Sequence, residues 1–249
     1  MSVLGGLFGK SRKAMPPADL SVLKCDVHSH FIPGIDDGAP TIGASMELIH
    51  AMHDLGYEKV VTTPHSMADG YRNPPEVILS GLEKVRHAVK EEKLNIKVEA
   101  AAEYYLDHEL LENATAQKLL TFGTDMVLFE LPFVSEPAVL MTAVFEMQTQ
   151  GFRPVLAHPE RYPFWYADTS AMEKLKDRGV LFQLNMIALM GAYGPPARKQ
   201  AEKIVDLGWY DLVGSDCHSM KHIEAMQVAR TEPYLHKLID GGKLLNTTL

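Results

Sequence analysis

The chain has 249 residues, 46% of them hydrophobic and 22% charged, with a formal net charge of −8. That length and composition suit one large α/β domain with a sizeable core, and the acidic balance argues against general nucleic-acid binding, which needs a basic surface. Two cysteines give no disulfide framework, which fits a reducing cytoplasm, and no apolar run is long enough for an integral membrane segment.

Residues 1–20 read as a flexible N-terminal tail, followed by a single domain over 21–249. In the tail, an apolar stretch around Leu4, Leu7 and Phe8 precedes Lys10, Arg12 and Lys13. A secretory signal has the opposite order; weak contact with an anionic membrane or a partner is the lesser reading. Beyond the tail, a strand is predicted near 22–28 and a helix near 40–55. Strands near 58–64, 96–103, 125–131, 153–158, 180–185 and 210–216 then alternate with helices near 75–92, 107–113, 136–150, 169–178, 196–207 and 221–229. Gly56, Gly151, Gly179 and Gly208 act as helix stops, and Pro195-Pro196 suits a first helical turn. Seven βα units without a long linker imply one closed or nearly closed barrel. A doubly wound open sheet is the alternative, and it would gather ligands at one switch point.

Chemistry-bearing residues fall where these strands end. His28 and His30 close the first, His65 the second and His158 the fifth, while Asp216 and His218 close the last. Residues i and i+2 of a strand share a face, so each pair can enter one site. Glu103 and Glu130 end two apolar strands, where a carboxylate is costly to desolvate without a cation or donor. Any one of these histidines taken alone is better read as structural, and for Glu130 alone an N-cap or a salt bridge with a neighbouring Arg or Lys is a fair competitor. All of them at strand tips point to a metal cluster in a barrel mouth. Imidazole and carboxylate without thiolate suit manganese, iron or zinc, and clustered divalent ions suit phosphoryl chemistry. Arg161, directly after His158-Pro159-Glu160, matches a phosphate's oxygens, or else pairs with Glu160 at the surface. His50, His53, His87, His108 and His236 are read as structural or surface residues. The cysteine-dependent phosphatase signature needs Arg six positions after the nucleophile; Phe31 and Ile223 stand there.

The chain resembles the polymerase and histidinol phosphatase (PHP) superfamily, and within it the protein-tyrosine phosphatases of bacterial capsule and exopolysaccharide gene clusters. The resemblance is carried by Asp26-Val27-His28-Ser29-His30, Ile35-Asp36-Asp37-Gly38, Thr63-Pro64-His65, Ala102-Glu103, Phe129-Glu130, Ala157-His158-Pro159-Glu160-Arg161-Tyr162 and Ser215-Asp216-Cys217-His218. It implies a distorted (β/α)7 TIM-like barrel with three divalent metal ions, manganese or else iron or zinc. One ion would take His28, His30, Glu103 and Asp216. A second would take Glu103 as a bridge, Glu130 and His158, and a third Asp37, His65 and His218, with Asp36 the rival of Asp37. Arg161 matches a phosphate-holding arginine. A second one is missing after His218, and Lys221 or His222 is the substitute.

The activity so implied is hydrolysis of phosphotyrosine by a metal-bridging hydroxide, with Arg161, Glu103 and His158 at the chemistry. Tyr104, Tyr105, Phe133, Phe164, Trp165 and Tyr166 are candidates for the rim of the mouth. The implied partner is the phosphotyrosine-containing tail of a bacterial tyrosine autokinase controlling polysaccharide export, met in the cytoplasm by a protein that can be a homo-oligomer. Three rivals are a PHP phosphatase acting on histidinol phosphate, a metal-dependent amidohydrolase, and a non-catalytic module that binds the kinase. Many amidohydrolases bridge their metals with a carbamylated Lys, and the candidate positions here hold Glu103 and Glu130.

Overall fold

The computed structural model describes residues 15–249. The strands are β1 (Cys25–Asp26), β2 (Lys59–Thr62), β3 (His65–Ser66), β4 (Lys97–Ala100), β5 (Glu103–Tyr105), β6 (Met126–Glu130), β7 (Arg153–Ala157), β8 (Leu181–Asn185) and β9 (Leu212–Gly214). Helices α1 (Ile42–Asp54), α2 (Pro75–Glu91), α3 (His108–Thr115), α4 (Leu140–Thr149), α5 (Ser170–Asp177), α6 (Pro195–Leu207) and α7 (Met220–Ala229) fall between or after them, and α8 (Pro233–Asp240) comes last. Every strand pair is parallel, in the orders β1-β2-β4 and β3-β5-β6-β7-β8-β9.

Two predicted strands are each broken in the middle. The second becomes β2 and β3, because Pro64 has no N–H to continue the ladder. The third becomes β4 and β5 in step with it, joined across the break by Ala101 N to Thr62 O (2.9 Å) and Glu103 N to Pro64 O (3.0 Å). Taken as pairs, β2/β3 and β4/β5 fill one position each of a seven-position ring. The ring joins back on itself beyond β9, where Asp216 N donates to His28 O (2.8 Å) and His30 N to Cys217 O (3.0 Å). This is the distorted (β/α)7 arrangement, with the ligand-bearing strand tips at one mouth.

Apolar residues face both ways from the sheet, as a helix-covered parallel sheet requires. All five residues of β6 are buried. One cluster joins sheet and helices; a smaller one, including Val27, Val61, Leu128, Val155 and Leu212, draws on strands from all round the ring and so lies within it. The far end of the ring is closed by Asn246. Its Nδ2 donates to Cys25 O (2.9 Å) and Val213 O (2.8 Å), and its Oδ1 accepts from Val213 N (2.9 Å).

Three features depart from expectation. The first predicted strand begins as a 3-10 turn, Leu20–Leu23, capped by Asp19, whose side chain accepts from Ser21 N (3.0 Å). The proposed tail boundary at residue 20 sits inside the fold, since Met15 N donates to Thr231 O (3.1 Å) and Ala18 N to Arg230 O (2.8 Å); residues 1–14 lie outside the described residues. The segment holding His236 forms α8, whose signals were Pro233 in its first turn and Gly241-Gly242 after it. Among the described residues, no helix is long and apolar enough to cross a membrane.

Replacing Asn246 by Ala leaves buried partners in β1 and β9 unmatched, at about 1–3 kcal/mol each. With three such bonds lost, the expected result in urea denaturation is a loss of about 3 kcal/mol or more with metal content unchanged, since the lesion lies at the end of the ring away from the ligands.

Candidate metal centre

The mouth opens into a cavity of about 670 Å³ whose wall includes His65, Glu103, Glu130, His158, Asp216 and His218. Donor atoms gather there in three overlapping groups: His28, His30, Glu103 and Asp216; His30, Asp37, His65 and His218; and His65, Glu103 and Glu130. Within each group the donor atoms lie within 4.8 Å of one another. His158 adjoins the third group, with Nε2 3.0 Å from Glu103 Oε1 and 3.9 Å from Glu130 Oε2.

Three imidazoles are held by their outer nitrogens. Gln183 Oε1 accepts from His28 Nδ1 (2.8 Å), Asp36 Oδ2 from His30 Nδ1 (2.8 Å) and the Asp216 carbonyl from His218 Nδ1 (2.9 Å). Those partners only accept, so each Nδ1 carries a proton and each Nε2 is the nitrogen left facing inward, the arrangement of metal-ligating histidines. Asp36 and Asp37 thus have separate tasks. Asp36 also accepts from Gly38 N (2.9 Å) and His65 N (3.2 Å), whereas Asp37 Oδ1 lies 3.5 Å from Nε2 of both His65 and His218.

Among the described residues nothing completes the inward-facing atoms: His28 Nε2, His30 Nε2, His65 Nδ1 and Glu103 Oε2 are buried without a hydrogen-bond partner. Buried polar atoms are rarely left this way, and nitrogen lone pairs converging on carboxylate oxygens are what divalent cations complete. The donor set therefore fits metal ions.

Electrostatics tell the same story. Burial opposes charge on His28, yet the Glu103 and Asp216 carboxylates raise it to about 9. Burial likewise opposes charge on His65, and Glu103 with Glu130 lift it to about 12. Burial would raise Glu103, but His28 and His65 hold it well below the carboxylate range; Asp216 is held down in the same way by His28 and His30. Burial lowers His158, helped by the nearby Arg161 cation. Without metal, protons on His28 and His65 offset the buried carboxylates.

The backbone is bent to deliver these groups. His158 (φ 34°) and Asp216 (φ 50°) sit in the left-handed region, a cost of order 1–3 kcal/mol each that persists where a structure over-determines it. Gly214 allows close packing, because a Cβ there would meet Gln183 Nε2 at 2.6 Å and His28 Cβ at 2.8 Å. Beside it, Asp26 accepts from Ser215 N (2.8 Å) and Ser215 Oγ (2.9 Å), tying β1 to the end of β9.

Arg161 stands at the rim. Its Nη1 donates to Asp216 Oδ2 (2.9 Å), which also accepts from Asn185 Nδ2 (2.9 Å). Its Cζ lies 4.9 Å from the Phe133 ring centre and 4.3 Å from that of Tyr193. Its partner is thus Asp216, not Glu160, whose buried carboxylate accepts from Asn185 N (2.9 Å) and the Tyr210 hydroxyl (2.9 Å).

Not every predicted contact reaches the cavity. Strand alternation turns Tyr104 away from the face of Glu103, and its hydroxyl accepts from Leu120 N at 2.8 Å on the other side of the strand. Lys221 is exposed outside the cavity wall; His222 lines it, with Nδ1 3.2 Å from Ser219 Oγ. Of the proposed aromatic rim only Phe133 lines the cavity, joined by Tyr71 and Tyr193. Trp165 is buried, its Nε1 donating to Glu136 (2.7 Å), and Phe164 stacks on Tyr162. Sequence reasoning passed over Gln183 and Asn185, although two amides on alternate positions of a buried strand were a usable signal. His50, His53, His87, His108 and His236 stay outside the cavity.

A family model described as capsular polysaccharide synthesis, CpsB/CapC, matches residues 24–242. The chain belongs to this family. It is 26% identical to the tyrosine-protein phosphatase YwqE of Bacillus subtilis (strain 168) over 197 residues, 79% of this chain and 78% of that protein. It is 26% identical to a putative tyrosine-protein phosphatase CapC of Staphylococcus aureus over 196 residues, 78% of this chain and 77% of that one. Among solved structures, one from the YwqE of Bacillus subtilis and CpsB of Streptococcus pneumoniae pair, described as metal-dependent tyrosine phosphatases, superposes with a TM-score of 0.78. It is 24% identical, covering 90% of this chain and 94% of that one. A histidinol phosphate phosphatase from Lactococcus lactis shares the fold at a TM-score of 0.52 and 12% identity, covering 89% and 94%.

Two outcomes are expected of a CpsB/CapC chain built this way. With His28 raised to about 9 and His65 to about 12, both are protonated at pH 7 in metal-free protein. A divalent ion must displace those protons to bind, so calorimetric titration with a manganese salt in buffers of different ionisation enthalpy should show release of about one proton or more. Apparent affinity should rise with pH through the range where His28 loses its proton. Binding with no proton release would refute this. The thiols should be inert as well. Both cysteines are buried, and burial raises Cys25 to about 12 and Cys217 higher still. Neither should react with a disulfide reagent at pH 8 until the protein is unfolded; prompt reaction of either would contradict their burial.

Proposed function

We propose that this chain is a metal-dependent protein-tyrosine phosphatase of the cytoplasm. Its substrate would be the phosphotyrosine-containing tail of a bacterial tyrosine kinase controlling capsule or exopolysaccharide synthesis. The observation carrying this reading is the set of four buried nitrogen and oxygen atoms left unpartnered in the mouth whose wall also carries Arg161. The names of the relatives support the substrate class. The described residues, 15–249, would act as one domain, and self-association into a homo-oligomer is part of the proposal.

Three divalent ions, manganese with iron or zinc as alternatives, would be held as follows: one by His28, His30, Glu103 and Asp216, a second by Glu103, Glu130 and His158, and a third by Asp37, His65 and His218. When bound, such ions neutralise phosphate oxygens and acidify water. The protein supplies the rest. Arg161 is held flat between Phe133 and Tyr193 and anchored to Asp216, leaving further N–H groups for the phosphate. That preorganisation favours the charge spread over the equatorial oxygens during transfer. His222 offers a second polar contact on the cavity wall, with Lys221 further out. Glu103 joins two of the ligand groups, and His158, kept neutral by burial and Arg161, bonds to it. The leaving phenol has a pKa of ~10, so its oxygen departs more readily than that of an alkyl alcohol.

Turnover of a phosphotyrosine peptide should exceed that of histidinol phosphate and vanish after stringent chelation. Arg161→Ala should lower kcat/KM by roughly 10²–10³ with metal content unchanged. Full activity in metal-free protein, or a preference for histidinol phosphate, would overturn the proposal.

A further inference from the structure

A second groove, of about 670 Å³, lies on the flank of the same mouth, lined by Tyr166, Pro195, Pro196, Lys199, Gln200 and Lys203. It is continuous with the Arg161 platform through the chain. Tyr193, whose ring covers Arg161 at 4.3 Å, is two residues before Pro195, and Tyr166 is five residues after Arg161. Pro195 and Pro196 start α6 and form an apolar edge beside the Tyr166 phenol. Lys199 and Lys203, four residues apart, share one exposed face of α6.

Among the described residues no carboxylate lines this groove. Asp168 accepts from Ser170 N (2.9 Å) and Ser170 Oγ (2.8 Å), bonds that hold its carboxyl low with a smaller contribution from the nearby Lys203 charge, while Glu202 and Glu232 hold Arg198 at 3.1 and 2.8 Å. Among the described residues Lys203 donates to a neutral hydroxyl, Thr169 Oγ1 (3.1 Å), and neither it nor Lys199 is in an ion pair. Two ammonium groups beside an aromatic and a proline edge are thus open on a chain of net charge −8.

We infer that this groove is an accessory site for a second anionic side chain of the peptide whose phosphotyrosine fills the cavity, an inference that rests on the phosphatase reading. An extended peptide advances ~3.3 Å per residue, so a side chain a few positions from the phosphotyrosine is the one placed to enter a neighbouring groove. The shared chemistry is a carboxylate or a phosphate. The Tyr166 and proline surface favours an anion borne on an aromatic ring, which makes a second phosphotyrosine the better fit.

The test uses metal-loaded full-length protein and peptides with a non-hydrolysable phosphonate analogue of phosphotyrosine at the primary position. The position four residues away, on either side, carries Tyr, Glu or a second phosphonate. At low salt the anionic peptides should bind about fivefold tighter than the Tyr peptide, and this gain should disappear in Lys199→Glu/Lys203→Glu and shrink in high salt. A gain with Glu equal to that with phosphonate assigns the site to anions generally; a larger gain with phosphonate assigns it to phosphotyrosine. Equal affinity of all three peptides for the unaltered protein, or a preference that survives the double substitution, would overturn the inference. Hydrolysis of p-nitrophenyl phosphate, too small to reach the groove, should be unchanged in the double variant. Its absence from the unaltered protein would strike the phosphatase reading, and the peptide affinities would still decide the groove.

Discussion

The Glu103 carboxylate is the point on which the site depends. Its Oε2 lies 3.2 Å from His28 Nε2, 3.6 Å from His30 Nε2 and 3.1 Å from His65 Nδ1, and it is buried with no hydrogen bond. A buried carboxylate facing three imidazoles needs positive charge nearby. Protons on His28 and His65 supply it without metal; divalent cations supply it with the ligand lone pairs also satisfied. The outer bonds to Gln183, Asp36 and the Asp216 carbonyl make sense only in that light, since each fixes the nitrogen left facing inward.

The fold carries the cost of this concentration of charge. The first and last strands meet through Asp26 and Ser215, the ring is closed at its other end by Asn246, and Gly214 lets Gln183 and His28 approach. His158 and Asp216 are held in left-handed backbone at the strand tips. Strain at two positions that carry site groups, amid a well-packed ring, is the pattern expected of a preorganised site.

Much of this was legible in the chain itself. The βα period exposed the seven-position ring, and the strand tips named His28, His30, His65, Glu103, Glu130, His158, Asp216 and His218 because period-2 patterning fixes which face a residue takes. What periodicity cannot register is a break or a partner distant in sequence. Pro64 split one strand, and its neighbour broke beside it. Gln183 and Asn185, which hold His28 and Asp216, lie on β8, far in sequence from both. Tyr104 follows Glu103 directly in β5, so alternation puts it on the face opposite the mouth. Tyr71 and Tyr193 come from loops, where no period reports direction.

Anomalous scattering from crystals grown with manganese tests the central claim most directly. The account predicts peaks in the mouth within about 2–2.5 Å of His28 Nε2, His30 Nε2 and Glu103 Oε2, with further density shared among Glu130, His65, His158, Asp37 and His218. A cavity without a peak under saturating metal, or peaks confined to surface carboxylates, would contradict it.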